Sequence, residues 1–303
     1  MGIIKATTAS VSGLAADQWK EFFYCESIPA DTIMVRGEKR VSSDSSNTAQ
    51  SDVITDGSTI AVADGQAAIV VSSGKVISIF AEPGEHVFSS GVSPSIVGGS
   101  SLKSLLKEVG RRISYGGDAP AVVQRVYYFN TKEIPGNAFG TDVGIPFRIK
   151  DEKNNLDIDC SLIISGVFSF RVCNPERIYK LMIGNVERKY SVAYLINHVK
   201  AEVTSEIVAA VGTFSGEGMR PSSIGGRLPE IERKVVEKAS EKLRENRGIE
   251  LVSLAFEVFR ITEKDSGIVR NIQRDAALKA DPALAGATVV GGFADAMKEL
   301  GEN

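Results

Sequence analysis

Histidine is nearly missing from this chain: His86 and His198 are the two in 303 residues. Neither is read as a metal ligand, because no second histidine or cysteine stands at ligand spacing and a zinc-type site needs several such groups converging. Cysteine is scarce as well. Cys25, Cys160 and Cys173 make neither an even disulfide framework nor a zinc-ligand set, and free thiols suit a reducing compartment. Cys160 and Cys173 fall in strand-like sequence and read as small hydrophobes. No stretch reaches the roughly 20 consecutive apolar residues of a membrane-spanning helix. The first residues carry one lysine and no compact apolar region ahead of a small-residue cleavage site, so no secretory leader is read there. The start "MGIIKA" offers Gly2 but has Ala6 where N-myristoylation wants Ser or Thr.

An excess of either charge is also missing. The chain has 35 basic and 38 acidic residues for a net charge of −3. Nucleic acid is therefore not expected as a partner, since neutralising phosphates needs a concentrated basic face. Arg111-Arg112 reads as a solvated helix end. No Gly-x-Ser-x-Gly elbow, His-Glu-x-x-His pair or Gly-rich phosphate loop occurs. "SSGK" at 72–75 lacks the first glycine of a phosphate loop, where Ile69 stands, and has Val76 where Ser or Thr is required, so it reads as a hairpin turn. Asp157 and Asp159 share one strand face, where carboxylates ordinarily serve solvation, and "GEGMRP" at 216–221 reads as loop. No catalytic residue, cofactor or metal site is expected, and the chain is not read as an enzyme.

What is present is regular patterning. Residues 3–24 recur at helical spacing through Ile4, Val11, Ala15, Trp19 and Phe22, widened by Ile3, Leu14 and Phe23. That stripe predicts an amphipathic helix lying on a membrane interface or on a neighbouring subunit. Residues 41–52 are polar and read as a linker or loop. From 51 to 88, Asp56-Gly57, Asp64-Gly65, Ser73-Gly74 and Pro83-Gly84 punctuate short apolar runs, which predicts a β-meander. A short helix is expected over 101–109. The clearest period-two alternation lies at 156–172 and predicts one long strand, wet on one face and bent near Gly166. Asn174-Pro175 signals a helix start and Gly184 its end. Longer helices are expected over 187–211 and from Pro229 to Asn246, with 213–227 a Gly/Ser loop between them. A final strand follows Gly248, then a charged helix over 263–280. An Ala/Gly-rich stretch at 281–303 then places Val289, Val290, Phe293 and Met297 as candidate assembly contacts.

One segment stands out: "RVYYFNTKEIPGNAFGTDVGIPFR", a strand followed by Pro and Gly punctuation, leading to an alternating strand that ends "FSFRVCNPERIY". Together with "LAADQWKEFFYCES", "DGSTIAVADGQ", "GKV" followed by "AEPGE", and "RGIELVS", it resembles the SPFH (band 7) superfamily of stomatins, prohibitins and flotillins. It looks most like the bacterial and phage virion-core-like subgroup, over roughly residues 1–300. The resemblance implies an α+β domain with a curved, mostly antiparallel sheet and helices packed on one side. It also implies a helical C-terminal extension that drives ring or cage assembly, and no catalytic residues. Two features depart from relatives: residues 3–24 are amphipathic where stomatin-type proteins insert a hydrophobic segment, and the sequence read here shows no Gly/Met-rich tail or Cys-rich zinc ribbon.

The expected organisation is an N-terminal helix and lead-in at 1–40, a linker at 41–52, the SPFH-like domain at 53–262 and a helical extension at 263–303. The implied function is a non-enzymatic, self-assembling scaffold, cytoplasmic and peripheral on the inner face of the membrane, serving an envelope-stress response. Its implied partners are its own copies, a lipid surface, and membrane-stress or protease proteins. The alternatives are a soluble ring, cage or phage-associated assembly, or a protein that encloses a protease or chaperone.

Overall fold

The structure, a computed structural model, describes residues 21–40, 54–89, 123–152, 156–184, 188–217, 223–280 and 286. In chain order the strands are β1 (Phe22–Tyr24), β2 (Thr32–Arg36), β3 (Glu38–Arg40), β4 (Thr59–Val62), β5 (Gln66–Ser72), β6 (Lys75–Phe80) and β7 (Gly84–Val87). They continue as β8 (Gln124–Asn130), β9 (Ile134–Gly140), β10 (Ile145–Asp151), β11 (Leu156–Val172), β12 (Lys189–Ser191) and β13 (Ile249–Ile261). The helices are α1 (Pro175–Ile178), α2 (Ile196–Glu217), α3 (Ile224–Arg247) and α4 (Glu263–Ala280). The chain forms two compact units. One holds residues up to Ile134 with Phe170–His198 and Ser240–Glu250, and the other holds Pro135–Ser169, Val199–Ala239 and residues from Leu251 onward.

In the first unit, one sheet runs β3-β1-β4-β7 and another β12-β2-β8-β5-β6. The β1–β4 pair is parallel and the remaining pairs of these two sheets are antiparallel. Alternation decides what each strand buries. Phe23, Ile60 and Val62 turn inward and cluster with Ala68, Val70, Val126 and Tyr128 of the other sheet. Each such side chain contributes about 1.5–3 kcal/mol when fully buried.

Three of the four turn signals of 51–88 are turns, while at the fourth Pro83 lies in a bend and Gly84 opens β7; Gly57, Gly65, Gly74 and Gly84 all have positive φ. The order is not a meander, however. β4 pairs with β7, whereas β5 pairs with β6 and β8, so the run is divided between two sheets. "SSGK" is the hairpin between β5 and β6. Ser72 pairs with Lys75, and Ser73 (φ 47°) and Gly74 (φ 80°) both adopt the left-handed backbone of a type I′ turn.

The helix expected over 3–24 needs correction at its end. Residues 22–24 are strand β1, because Phe-Phe-Tyr suits a pleated surface and Phe23 completes the core from an alternating position. Residues 1–20 of that expectation lie outside the described residues, as do the linker at 41–52 and the helix expected at 101–109.

The second unit is organised by β11, whose 17 residues carry the expected alternation. β10 pairs antiparallel with it from Ile145↔Leu162 to Asp151↔Leu156. β9 continues along β11: Asn137 Nδ2 donates to Phe168 O at 3.2 Å, and Thr141 N–H donates to Ile164 O at 3.0 Å. The Pro/Gly-punctuated segment is thus two strands laid end to end against one long partner, with residues 141–144 as the joint. β13 also pairs with β11, where Ser169 Oγ lies 2.6 Å from Ser253 Oγ and Thr262 N–H donates to Ser161 O at 2.9 Å.

The helices obey local signals with three departures. Asn174 caps α1 by accepting the Arg177 N–H at 2.9 Å. The helix then widens into a single π turn over Tyr179–Ile183 and stops at Gly184 (φ 57°). α2 starts later and ends later than the 187–211 expectation, burying Val199, Val203, Ile207, Val211 and Phe214 along one stripe. α3 begins at Ile224, ahead of Pro229, because its first turn contains Gly225-Gly226 and so looked like loop. Within α3, Ile231, Val235, Ala239 and Leu243 recur every fourth residue and are all buried. β13 and α4 fall where the sequence placed them.

Candidate functional site

The expected contact residues divide into those the structure describes and those it does not. Ile3, Ile4, Val11, Leu14 and Trp19 lie outside the described residues, as do Val289, Val290, Phe293 and Met297. Phe22 and Phe23 are described and face opposite ways. Phe23 is buried in the first unit's core, which removes it from any exposed contact set. Phe22 lies on the outer face of the β3-β1-β4-β7 sheet, in one cross-strand row with Arg40, Thr59 and Val87. Two residues along, Glu38 opposes Tyr24 and Glu85 opposes Ala61. The Phe22 and Tyr24 rings are 6.1 Å apart, and the Arg40 guanidinium stands 5.1 Å over the Tyr24 ring. Val87 is 69% exposed. This face combines half-buried aromatics with charges of both signs, which suits contact with another surface.

Arg148 grips both carboxylate oxygens of Asp157 at 2.6 Å, and this hydrogen-bonded pairing holds the Asp157 carboxyl below its ordinary range. An acid–base residue needs a pKa displaced toward its task, and this one is displaced away from neutrality. All three thiols are free and raised above their ordinary value, Cys25 and Cys160 chiefly by burial. Cys160 is buried as expected, whereas Cys173 is exposed because it sits just past the end of β11. None is the lowered thiolate of a reactive cysteine. His86 Nε2 lies 2.7 Å from Glu82 O with its ring against Phe80, and His198 is exposed. Among the described residues no group of His, Cys, Asp or Glu converges to hold a metal ion. Among the same residues no helix is long and apolar enough to cross a membrane.

Three polar assemblies in the described residues are structural. Glu250 at the start of β13 is held between Arg171 of β11 and Arg244 of α3, with Arg244 Nε at 2.7 Å. Burial works against its charge, but the two guanidiniums outweigh it and hold the carboxyl below its ordinary 4.5. Arg177 Nη1 donates to Arg244 O and Glu245 O at 3.2 and 2.8 Å, closing the last turn of α3 before Gly248 (φ 72°) reverses the chain. In the second unit, Arg227 bridges Glu217 and Glu230 at 3.0 and 2.8 Å, and it shares the faces of the buried Phe214 ring with Lys234. Nothing in the one-dimensional pattern marked Glu250 or Arg227, since their partners are distant in sequence or hidden in a Gly-rich stretch.

The third assembly joins β11, β13 and α4. Thr262 follows β13 and caps α4, its Oγ1 accepting the Asp265 N–H at 3.3 Å. Asp265 Oδ2 in turn accepts the Ser161 N–H of β11 at 2.7 Å. That backbone hydrogen bond leads the causes that hold the Asp265 carboxyl below its ordinary range.

The long β11, the strands β9 and β10 laid along it and the helix α4 thus form one connected frame. The family model described as SPFH domain-Band 7 family matches residues 48–279, so the chain belongs to that family. No curated protein matches it.

Proposed function

We propose that this chain is a non-enzymatic scaffold that self-associates and works peripherally at the cytoplasmic face of a membrane, in an envelope-stress response. Family membership supports the scaffold half; the virion-core-like subgroup is part of this proposal and rests on the resemblance of the residues quoted above. The observation that carries self-association is α4. Of its 18 residues Val269 is the one buried among the described residues, while Ile268 is 44% exposed and Ile272, Ala276 and Leu278 are only partly covered. Most of a helix's stability in a protein comes from packing its apolar face, and a second copy of the chain would supply that packing. In this reading Val289, Val290, Phe293 and Met297 extend the same contact.

The membrane half rests on Phe22 and Tyr24, which lead directly out of the Trp19 segment onto an outer sheet face. Flotation of the full chain with vesicles of anionic phospholipid tests it. Co-flotation lost on Phe22→Asp supports membrane contact, and a chain that never floats removes it.

A second reading, a soluble ring, cage or phage-associated assembly, draws on Glu38 and Glu85. Carboxylates beside Tyr24 and Ala61 suit a protein surface better than an anionic bilayer. Deleting residues 1–20, which leaves β1 and its core residue Phe23 in place, separates the two: the membrane scaffold loses flotation and keeps its mass, while the soluble assembly loses subunits. Enclosure of a protease or chaperone predicts instead a stable partner retained through purification.

A further inference from the structure

The first turn of α4 is tied to the body of the second unit by hydrogen bonds to the Ser161 backbone. Thr262 N–H donates to Ser161 O, extending the β11–β13 ladder by one rung past the end of β13. Asp265, three residues on, would in an ordinary capping box reach back to the N-cap N–H. That N–H is already committed to Ser161 O, so the carboxylate turns outward and takes the Ser161 N–H, the next open donor on β11. The Ser161 backbone thus gives its oxygen to the residue before the helix and its N–H to the first turn of the helix. Ser266 N–H closes the first helical bond on Thr262 O at 2.8 Å. Beyond this turn the packing is thin, with Val269 the one buried side chain of the helix among the described residues.

We propose that the Thr262–Asp265 turn, locked to both polar atoms of the Ser161 backbone, is a joint that fixes the direction in which α4 leaves the sheet. Asp265 is its positioning residue. Beyond that turn Val269 is buried while Ile272, Ala276 and Leu278 are only partly covered, so the hydrogen bonds of the first turn carry much of the helix's direction. Losing the Asp265 carboxylate would free α4 to swing while leaving the sheet it leaves from intact. The consequence for assembly rests on the self-associating reading above: copies that meet through α4 need it at one angle to build a discrete particle. The joint itself does not depend on that reading.

The test is a pulsed spin–spin distance measurement between labels at Lys150→Cys on β10 and Lys279→Cys near the end of α4. It is made on the full chain with Cys25, Cys160 and Cys173 replaced, diluted with unlabelled protein so that each pair reports one molecule. The joint predicts a narrow distance distribution in the parent, a distribution broadened at least twofold by Asp265→Ala, and recovery toward the narrow form by Asp265→Asn, which keeps an acceptor oxygen. Thr262→Ala, which leaves the Asp265 contact in place but uncaps the turn, should broaden it less, and it provides the readout should Asp265→Ala not fold. A distribution equally narrow in the parent, Asp265→Ala and Thr262→Ala overturns the proposal. Particle mass recorded on the same samples separates the two ideas. Broadening in a chain that never assembles keeps the joint and removes its role in assembly, whereas an unbroadened distribution removes the joint in an assembled particle too.

Discussion

The carbonyl oxygen of Ala255 on β13 lies 2.1 Å from the point where a Cβ on Gly166 of β11 would sit, and Phe139 Cζ lies 2.9 Å from the same point. The two strands approach here too closely for a side chain on Gly166. Gly166→Ala must push backbone apart, since the first obstacle is a carbonyl. We predict a loss of at least about 2 kcal/mol, read as a melting temperature lowered by roughly 5 °C or more.

The joint between β9 and β10 gives a paired prediction. Neither Gly140 nor Gly144 has a positive φ, and the one left-handed glycine of the segment is Gly136 (φ 74°). Sterics therefore decide. A Cβ on Gly144 would stand 2.6 Å from Ser161 Cβ, whereas one on Gly140 would meet Ser165 Cβ at 3.5 Å, an ordinary contact. Gly144→Ala should destabilise by about 1–3 kcal/mol, and Gly140→Ala should change stability by less than about 0.5 kcal/mol. Denaturant unfolding of the two variants measures the contrast, and equal midpoints would remove the close-approach account.

Acid should loosen the first unit through Glu250. Its folded carboxyl titrates below its ordinary 4.5, so in the window below that value the unfolded chain binds the proton first. The stabilisation from Arg171 and Arg244 is therefore complete above about pH 4.5 and is lost as pH falls through the folded value. Glu250→Gln should cost stability at neutral pH, and the gap to the parent should narrow steadily toward pH 3. A gap independent of pH would mean that the ion triad contributes no charge-dependent stability.

Gly212, within α2, faces open space, since a Cβ there meets nothing within 4 Å. Gly212→Ala should raise stability by up to about 1 kcal/mol by removing backbone freedom from the unfolded chain. Thermal melting that falls on this substitution would show an unseen constraint at that position.

These positions also show how far the sequence could be read. Elements whose signal is periodic or local were legible. β11 announced itself by strict alternation, α4 by its charged helical stripe, the β5–β6 hairpin by Ser73-Gly74, and α1 by Asn174-Pro175. Strand partnership was not, because pairing β4 with β7 across the β5–β6 hairpin is a tertiary choice that leaves no local trace. Nor was the switch from helix to strand at Phe22–Tyr24, where a continuous apolar run fits both periods and Phe23's place in the core decided between them. The Asp265–Ser161 contact spans 104 residues, and no local pattern announces it.

The central claim is that this family member builds a particle from its own copies. Light scattering behind a sizing column, on the full chain over a range of concentrations, tests it most directly. The account predicts one discrete mass many times the 32.4 kDa of a single chain, stable on dilution. A mass of one or two chains at every concentration would contradict it.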